Sequence, residues 1–243
     1  MKLIARQLNV EDDGIPGYIV YPERAERGPS LLIIHQHSGL TGHLKTEAYK
    51  FAKLGYVTVI PNLYHLLGYP ALTHIHTGTE IQKNTSDSDF VRVIDQGWRY
   101  LLGREDVDSS RVGVCGYCMG GRIGIHFAAC TPNARAFVAY YPSVRDELAT
   151  KLRPRHPCEA ARKIKCPSLI LFGGQDSTTP VPVQERLWAS FLANGQPLEW
   201  HFFPHARHGF ASPEAAGYDP QLTELVWPLV VDFLDREIRK PSR

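Results

Sequence analysis

Short apolar runs alternate with segments of helical periodicity along most of this chain, and this alternation limits the fold more than any other feature. Runs such as SLLII, VTVI and LILF are continuously apolar, as expected for strands that are buried on both faces of a sheet. Segments such as KTEAYKFAKLG and VPVQERLWASFLANG lie between the runs and end in glycine, which is typical of helices. We therefore predict an α/β fold with a mostly parallel central sheet and helices on both faces.

Three parts of the sequence depart from this alternation. KLIARQL and GYIVYP are short apolar runs separated by turn residues, which predicts an N-terminal antiparallel hairpin. The stretch 63–83 has no clear period, and a loop of that length is usually functional, so we expect a lid over 62–84. We expect a bend or an interruption at Pro228 in the last helix. No linker or repeat divides the chain, which indicates one domain over 1–243.

Composition argues against several classes of function. The formal net charge of +2 is too small to indicate binding to nucleic acid or to an acidic membrane surface. No window approaches the roughly 18 apolar residues of a membrane-spanning helix. The N-terminal MKLIARQLNVEDDG also lacks the apolar core of a signal peptide. We therefore expect a cytoplasmic protein whose five cysteines are reduced thiols.

The residues that follow the predicted strands are the functional candidates, because parallel sheets bind ligands beyond the carboxyl ends of their strands. Cys118 follows VGVCG, Asp176 follows LILFGG, and His208 comes shortly after EWHFFP. Nucleophile, acid and base thus occur in the chain order of the α/β-hydrolase pattern, in which a G-x-S-x-G turn holds the nucleophile. His205 competes for the role of base, but it lies nearer the strand and we expect it to point elsewhere.

The segment CGYCMGG places Cys118 on a predicted sharp turn between a strand and a helix. The nucleophile of such a turn has a strained backbone, and side chains two residues before and after it would collide. Gly116 and Gly120 remove those side chains, and Gly121 allows the helix to pack close to the strand. The helix N-terminus would favour the thiolate form of Cys118 over the thiol.

The same segment contains a CxxC pair, Cys115 and Cys118, which is typical of thiol–disulfide oxidoreductases. Cys115 falls inside the predicted strand, the chain is much longer than a thioredoxin-like unit, and a redox pair requires neither Asp176 nor His208. We therefore favour ester hydrolysis, with a redox enzyme and a non-catalytic ligand-binding relative as alternatives. Replacement of Cys115 by alanine would spare an esterase and abolish a CxxC redox enzyme.

CGYCMGG, FGGQDSTTP and HARHGF, each after a predicted strand, resemble the motifs of the dienelactone hydrolase family, and the resemblance covers most of the chain. It implies an α/β-hydrolase fold and a Cys-His-Asp triad that opens cyclic or activated esters without a cofactor. It assigns the triad to Cys118, Asp176 and His208. It assigns the oxyanion hole to the backbone N–H groups of His37 and Met119.

Two positions differ from the family pattern. Gln36 stands where the family has a glutamate that takes up the thiol proton, so we expect Cys118 to share its proton with His208 as a resting ion pair. Ser212 replaces an arginine that binds the substrate carboxylate, which leaves open a neutral ester or another lactone. Gln36 and Tyr141 are predicted to contact the substrate, and a half-buried structural tyrosine is the alternative for Tyr141. Three other cations could replace the arginine, although no motif places them: Lys83, Arg122 and Arg207.

Histidines raise the alternative of a zinc site, since His-x-His at a strand end can bind zinc. They lie in two segments: His35, His37 and His43 in the first, and His74 and His76 in the second. No carboxylate or cysteine joins them at a set spacing, so we predict no metal. We instead expect His74 and His76 to belong to the lid. The expected partner is a small-molecule ester or lactone, bound by a monomer or a homodimer.

Overall fold

Eight strands form one sheet in the computed structural model, which describes residues 1–24, 26–69 and 75–239. In chain order they are β1 (Leu3–Leu8), β2 (Gly17–Pro22), β3 (Gly28–Ile34), β4 (Val57–Pro61), β5 (Val107–Tyr117), β6 (Ala136–Tyr140), β7 (Ser168–Gly173) and β8 (Leu198–Phe203). Their order across the sheet is β1-β2-β4-β3-β5-β6-β7-β8. β2 is antiparallel to β1 and to β4, and the remaining neighbours are parallel. The predicted sheet and N-terminal hairpin are confirmed.

Helices connect the strands. They are α1 (Val10–Asp13), α2 (Gly42–Lys53), α3 (Leu63–Leu66), α4 (Ile75–Asn84), α5 (Asp87–Leu102), α6 (Met119–Cys130), α7 (Pro157–Ala161), α8 (Val181–Leu192) and α9 (Pro220–Leu234), and a π-helical turn (Asp235–Arg239) follows α9. No helix among the described residues is both long enough and apolar enough to cross a membrane.

The helices cover both faces of the sheet, and β3 shows how. Each of its residues is buried, as expected for a continuously apolar strand. Leu32 and Ile34 pack against glycines of α5 and α6, whereas Leu31 packs on the opposite face together with Ile238 of the π-helical turn. Burial of each such aliphatic side chain stabilises the fold by about 1.5–3 kcal/mol. This core fixes the strand ends from which the functional candidates extend.

Two local predictions were wrong. The stretch expected to be a loop over 63–83 contains α3 and α4, although 70–74, including His74, lie outside the described residues. The buried face of α4 carries Gly78 and Ile81, and a glycine that faces the core leaves no apolar signal in the sequence. The second concerns Pro228: α9 runs through that residue, so the alternative of an interruption is wrong, whereas the alternative of a bend stays a prediction.

Candidate active site

Cys118 occupies a strained turn between β5 and α6. Its backbone angles are φ 53° and ψ −114°, in a region that residues with a side chain rarely adopt. Three backbone hydrogen bonds hold this conformation. The N–H of Cys118 donates to the carbonyl of Tyr140 over 3.0 Å, and its own carbonyl accepts from Arg122 over 3.1 Å and from Ser143 over 3.0 Å. The turn therefore presents the sulfur beyond the carboxyl end of the sheet, as predicted.

Glycines make this turn sterically feasible, and the structure refines their predicted roles. A Cβ atom on Gly116 would overlap the carbonyl oxygen of Gly120, which is the predicted collision across the turn. A Cβ atom on Gly120 would instead overlap the carbonyl oxygen of Ile34, at the end of the adjacent strand β3. A Cβ atom on Gly121 would lie 3.0 Å from the Cα of Pro142. The absence of a side chain at Gly121 therefore allows the segment after β6 to pack close to α6. Helix α6 thus begins tightly enclosed by neighbouring backbone.

The structure brings Cys118, His208 and Asp176 into one hydrogen-bonded chain. His208 Nε2 lies 3.0 Å from Cys118 Sγ, and His208 Nδ1 lies 2.8 Å from Asp176 Oδ2. The other carboxylate oxygen of Asp176 accepts the backbone N–H groups of Thr178 and Thr179 over 2.8 and 2.9 Å. Asp176 therefore both orients the histidine and caps its own turn.

The electrostatic environment of the three hydrogen-bonded residues favours an ion pair between the Cys118 thiolate and the His208 imidazolium. Burial alone would raise the pKa of the Cys118 thiol, but the charge of His208 and its hydrogen bond outweigh burial and lower the pKa to about 6. Burial alone would lower the pKa of His208, but the thiolate of Cys118 and the hydrogen bond that His208 donates to Asp176 outweigh it and raise the pKa to about 10. The two shifts describe the resting ion pair that the sequence predicts.

Cys115 has the opposite environment. It lies in β5 with no exposed surface, and its backbone pairs with Ile33 and Val138 on the neighbouring strands. Burial raises the pKa of its thiol well above the usual range for cysteine. Both Cys115 and Cys118 are free thiols. An inaccessible second thiol weakens the CxxC redox hypothesis.

The peptide group between Gln36 and His37 is held on the loop after β3. Its carbonyl, which belongs to Gln36, accepts from Gly39 N–H over 3.0 Å and contacts His35 Nδ1 at 2.7 Å. The other ring nitrogen of His35 accepts the N–H of Leu63 over 3.2 Å, so the proton of this buried imidazole belongs on Nδ1. The His37 N–H, on the other end of this peptide, is thereby fixed in direction.

The second predicted oxyanion donor, the N–H of Met119, begins α6. Backbone N–H groups in the first turn of a helix have no acceptor within the helix, so this group remains directed out of the helix end. The oxyanion roles of Met119 and His37 stay predictions, since they concern a reaction intermediate.

Gln36 and Tyr141 lie at the site, but each is engaged with other side chains. The Gln36 amide donates to Ser38 Oγ over 3.0 Å and to Ser212 Oγ over 3.2 Å. Tyr141 is fully buried at φ 37°, with its ring 5.3 Å from the His208 ring in an edge-to-face contact. Its hydroxyl has no hydrogen-bond partner among the described residues. Tyr141 thus packs against the ring of His208, and its contact with a substrate remains a prediction.

Sequence reasoning missed three contacts around His37. The Nδ1 atom of its own imidazole lies 3.9 Å from Cys118 Sγ. The Tyr64 hydroxyl donates to the His37 carbonyl over 2.7 Å and lies 3.6 Å from Met119 Sδ. Gly78 of α4 packs so closely that a Cβ atom there would overlap the same carbonyl oxygen. Tyr64 and Gly78 lie in the stretch without a clear period, so only the adjacent His-x-His could have drawn attention to this region.

The remaining candidates lie outside the hydrogen-bonded triad, although Lys83 and Arg122 line one cavity. Arg122 is buried and forms an ion pair with Asp87 at 2.8 Å, whereas Lys83 is exposed and pairs with Glu80 at 2.8 Å. Arg207 is exposed. The competing base His205 and the zinc candidate His43 also lie apart from the triad: His205 is exposed, and His43 packs its ring 5.7 Å from that of Tyr117. Within the described part of the chain, no group of three or more His, Cys, Asp or Glu residues is arranged to hold a metal ion.

This sheet, with its nucleophile turn between strand and helix, is the fold of an α/β-hydrolase. The sequence profile of the dienelactone hydrolase family matches residues 15–238. The chain therefore belongs to the dienelactone hydrolase family, and it is a hydrolase.

Two further comparisons agree with this assignment. A protein of Methylorubrum extorquens named "Putative carboxymethylenebutenolidase" is 29% identical, over 95% of this chain and 80% of that relative. The crystal structure named "Putative Dienelactone Hydrolase", from Klebsiella pneumoniae, superposes with a TM-score of 0.86 at 24% identity, over 96% of this chain and 99% of that one. A dienelactone hydrolase-like promiscuous phosphotriesterase from metagenomic libraries has the same fold, with a TM-score of 0.78 at 19% identity over 98% and 99% of the two chains.

Proposed function

We propose that this protein hydrolyses an ester or lactone through a thioester formed on Cys118. The observation that carries the proposal is the hydrogen-bonded chain from Cys118 Sγ through His208 to Asp176, at 3.0 and 2.8 Å. A buried carboxylate behind a histidine that contacts a nucleophile is the arrangement that nucleophilic acyl transfer requires. The names of the relatives support the same class of substrate.

In the first half of the proposed reaction, the Cys118 thiolate attacks the carbonyl carbon. The carbonyl oxygen gains a negative charge, which the N–H groups of His37 and Met119 would stabilise, each by a factor of about 10²–10³ in rate. The C–O bond then breaks, and the leaving oxygen takes the proton of the His208 imidazolium. With a lactone, this alcohol stays attached to the acyl group.

In the second half, water attacks the thioester. Neutral His208 accepts a proton from that water, and the C–S bond breaks to release the acid and restore the thiolate. Asp176 keeps Nδ1 of His208 protonated throughout and stabilises the imidazolium each time it forms. Side chains and water supply each proton and electron pair in this scheme.

We further propose that the substrate is a neutral ester or lactone, or one whose charge lies away from Ser212. Gln36 and Ser212 hydrogen-bond to each other and carry no charge. We also propose that 62–84 covers the site within a single domain over 1–243. Two contacts support the cover: Tyr64 of α3 and Gly78 of α4 both meet the carbonyl of His37.

The test is the pre-steady-state release of p-nitrophenol from p-nitrophenyl acetate. The wild-type protein and the Cys115→Ala variant should both show a burst, because acylation releases the phenol before water cleaves the thioester. The Cys118→Ala variant should show none. Loss of the burst in Cys115→Ala with retention in Cys118→Ala, or no burst and no turnover in the wild-type protein, would overturn the proposal.

A further inference from the structure

A second imidazole lies beside the nucleophile in addition to that of His208. His37 Nδ1 is 3.9 Å from Cys118 Sγ, compared with 3.0 Å for His208 Nε2. The proposed mechanism uses only the backbone N–H of His37, so its side chain has no role yet. Cys118 is only 8% exposed, so water can reach its sulfur at few points. A buried thiolate is stabilised when protein groups donate hydrogen bonds to it in place of water.

The backbone that carries this imidazole is fixed on both sides. The carbonyl of His37 accepts from the Tyr64 hydroxyl over 2.7 Å and lies directly against Gly78. The preceding peptide is held at its carbonyl by His35 and by Gly39. The backbone from which the ring extends towards the sulfur is therefore fixed by the packing of the loop after β3 against α3 and α4.

The amide of Gln36 is directed to the hydroxyls of Ser38 and Ser212, at 3.0 and 3.2 Å. Gln36, at the position of the family glutamate, thus donates its amide hydrogens to these two serines rather than to the sulfur of Cys118. We propose that the imidazole of His37 donates a second hydrogen bond, from Nδ1, to the Cys118 thiolate and is therefore a catalytic residue. This inference rests on the proposed function, since it assumes that Cys118 is the nucleophile.

The titratable groups around the sulfur come from five parts of the fold. They are His37 and His35 at the end of β3, Tyr64 of α3, Tyr141 after β6, Asp176 after β7, and His208 after β8. Burial raises the pKa of Tyr64 and of Tyr141 above the normal tyrosine value, and burial lowers that of His35 to about 4. These three groups stay neutral between about pH 5 and 8, so they do not titrate with the thiol.

The test compares the rate of alkylation by iodoacetamide as a function of pH in the wild-type protein and four variants. His37→Leu keeps much of the volume but has no donor, and His37→Asn keeps an N–H close to the position of Nδ1. His37→Gln retains an amide, but its nitrogen lies farther from the backbone, near the position of Nε2. His205→Asn is the matched control, because His205 is an exposed histidine away from the sulfur.

We expect His37→Leu and His37→Gln to raise the midpoint of the Cys118 profile by about one pH unit, the scale of one hydrogen bond to a charged group. His37→Asn and His205→Asn should stay within a few tenths of a unit of the wild-type protein. An unchanged midpoint in both His37→Leu and His37→Gln would overturn the inference. So would an equal rise in His37→Leu and His37→Asn, which would indicate packing alone.

The burst assay separates this result from the proposed function. A wild-type burst together with unchanged midpoints in the His37 variants would rule out only the proposed donor role of His37. Absence of both a burst and turnover in the wild-type protein would rule out the thioester mechanism, whatever the midpoints are. Thermal unfolding of each variant identifies any that fails to fold. If His37→Leu or His37→Gln fails, the other one, which also lacks a donor at the Nδ1 position, decides the question.

Discussion

The side-chain amide of Gln36 donates a hydrogen bond to the hydroxyl of Ser212 over 3.2 Å, although 176 positions separate the two residues. These are the two positions at which the chain departs from the family pattern of glutamate and arginine. Gln36 is 5% exposed and Ser212 is fully buried, so a single charge introduced at either position would lack solvent. The two departures are thus physically coupled in this protein, because the two uncharged side chains hydrogen-bond to each other.

We predict that Gln36→Glu destabilises the protein in a pH-dependent way. The new carboxylate would be buried and could no longer donate to Ser38 and Ser212, at a cost of about 1–3 kcal/mol at neutral pH. Burial raises the pKa of such a carboxyl above its unfolded value, so the penalty is present at neutral pH and decreases as the pH falls towards the unfolded pKa of about 4.3. Urea unfolding at pH 5 and at pH 7.5 measures it, with Gln36→Met as the uncharged control. An equal penalty at both pH values in Gln36→Glu would contradict the prediction.

The pKa of about 6 for Cys118 predicts that this cysteine is alkylated at a lower pH than an ordinary cysteine. The rate of reaction with iodoacetamide should reach half of its plateau near pH 6, whereas an ordinary cysteine does so near pH 8.5. His208→Ala should move the midpoint upward, because the imidazolium that stabilises the thiolate is absent. Cys118→Ala serves as the blank for the other four cysteines. A wild-type profile that rises only near pH 8.5 would rule out the resting ion pair.

Asp176→Asn should separate catalysis from stability. The asparagine oxygen can still accept the N–H groups of Thr178 and Thr179, so the turn should persist and the melting temperature should change little. Its NH₂ group would face His208 Nδ1 and favour the wrong tautomer, which should lower kcat by about 10³–10⁴-fold. Steady-state hydrolysis and thermal unfolding of the same preparation test both parts. Comparable activity of the variant and the wild-type protein would refute the role of the carboxylate.

Gly120→Ala should be severely destabilising, because its Cβ would overlap the carbonyl oxygen of Ile34 and backbone would have to move. We expect a loss of about 3 kcal/mol or more in the free energy of unfolding. Gly42→Ala is the matched control. It also lies in the first turn of a helix, but a Cβ there meets nothing within 4 Å. Similar stabilities for the two variants would show that the turn relaxes at little cost.

The sheet and the order of the triad were predictable because both depend on local sequence. Cys118 and Asp176 closely follow continuous apolar runs, and a parallel sheet places such positions along one edge. The contact between Gln36 and Ser212 was not predictable in this way, because neither residue type indicates a partner so distant in the chain. The side-chain contact of His37 with the sulfur likewise depends on the exact direction of a loop.

Gly78 shows how a position outside every motif can limit what the sequence tolerates. Because a Cβ atom there would overlap the carbonyl oxygen of His37, helix α4 and the loop after β3 meet backbone to backbone. Any side chain at 78 would push α4 away from the loop that carries the proposed oxyanion donor. In a saturation mutagenesis library, position 78 should therefore lose activity as completely as the triad positions do, even though its residue performs no chemistry.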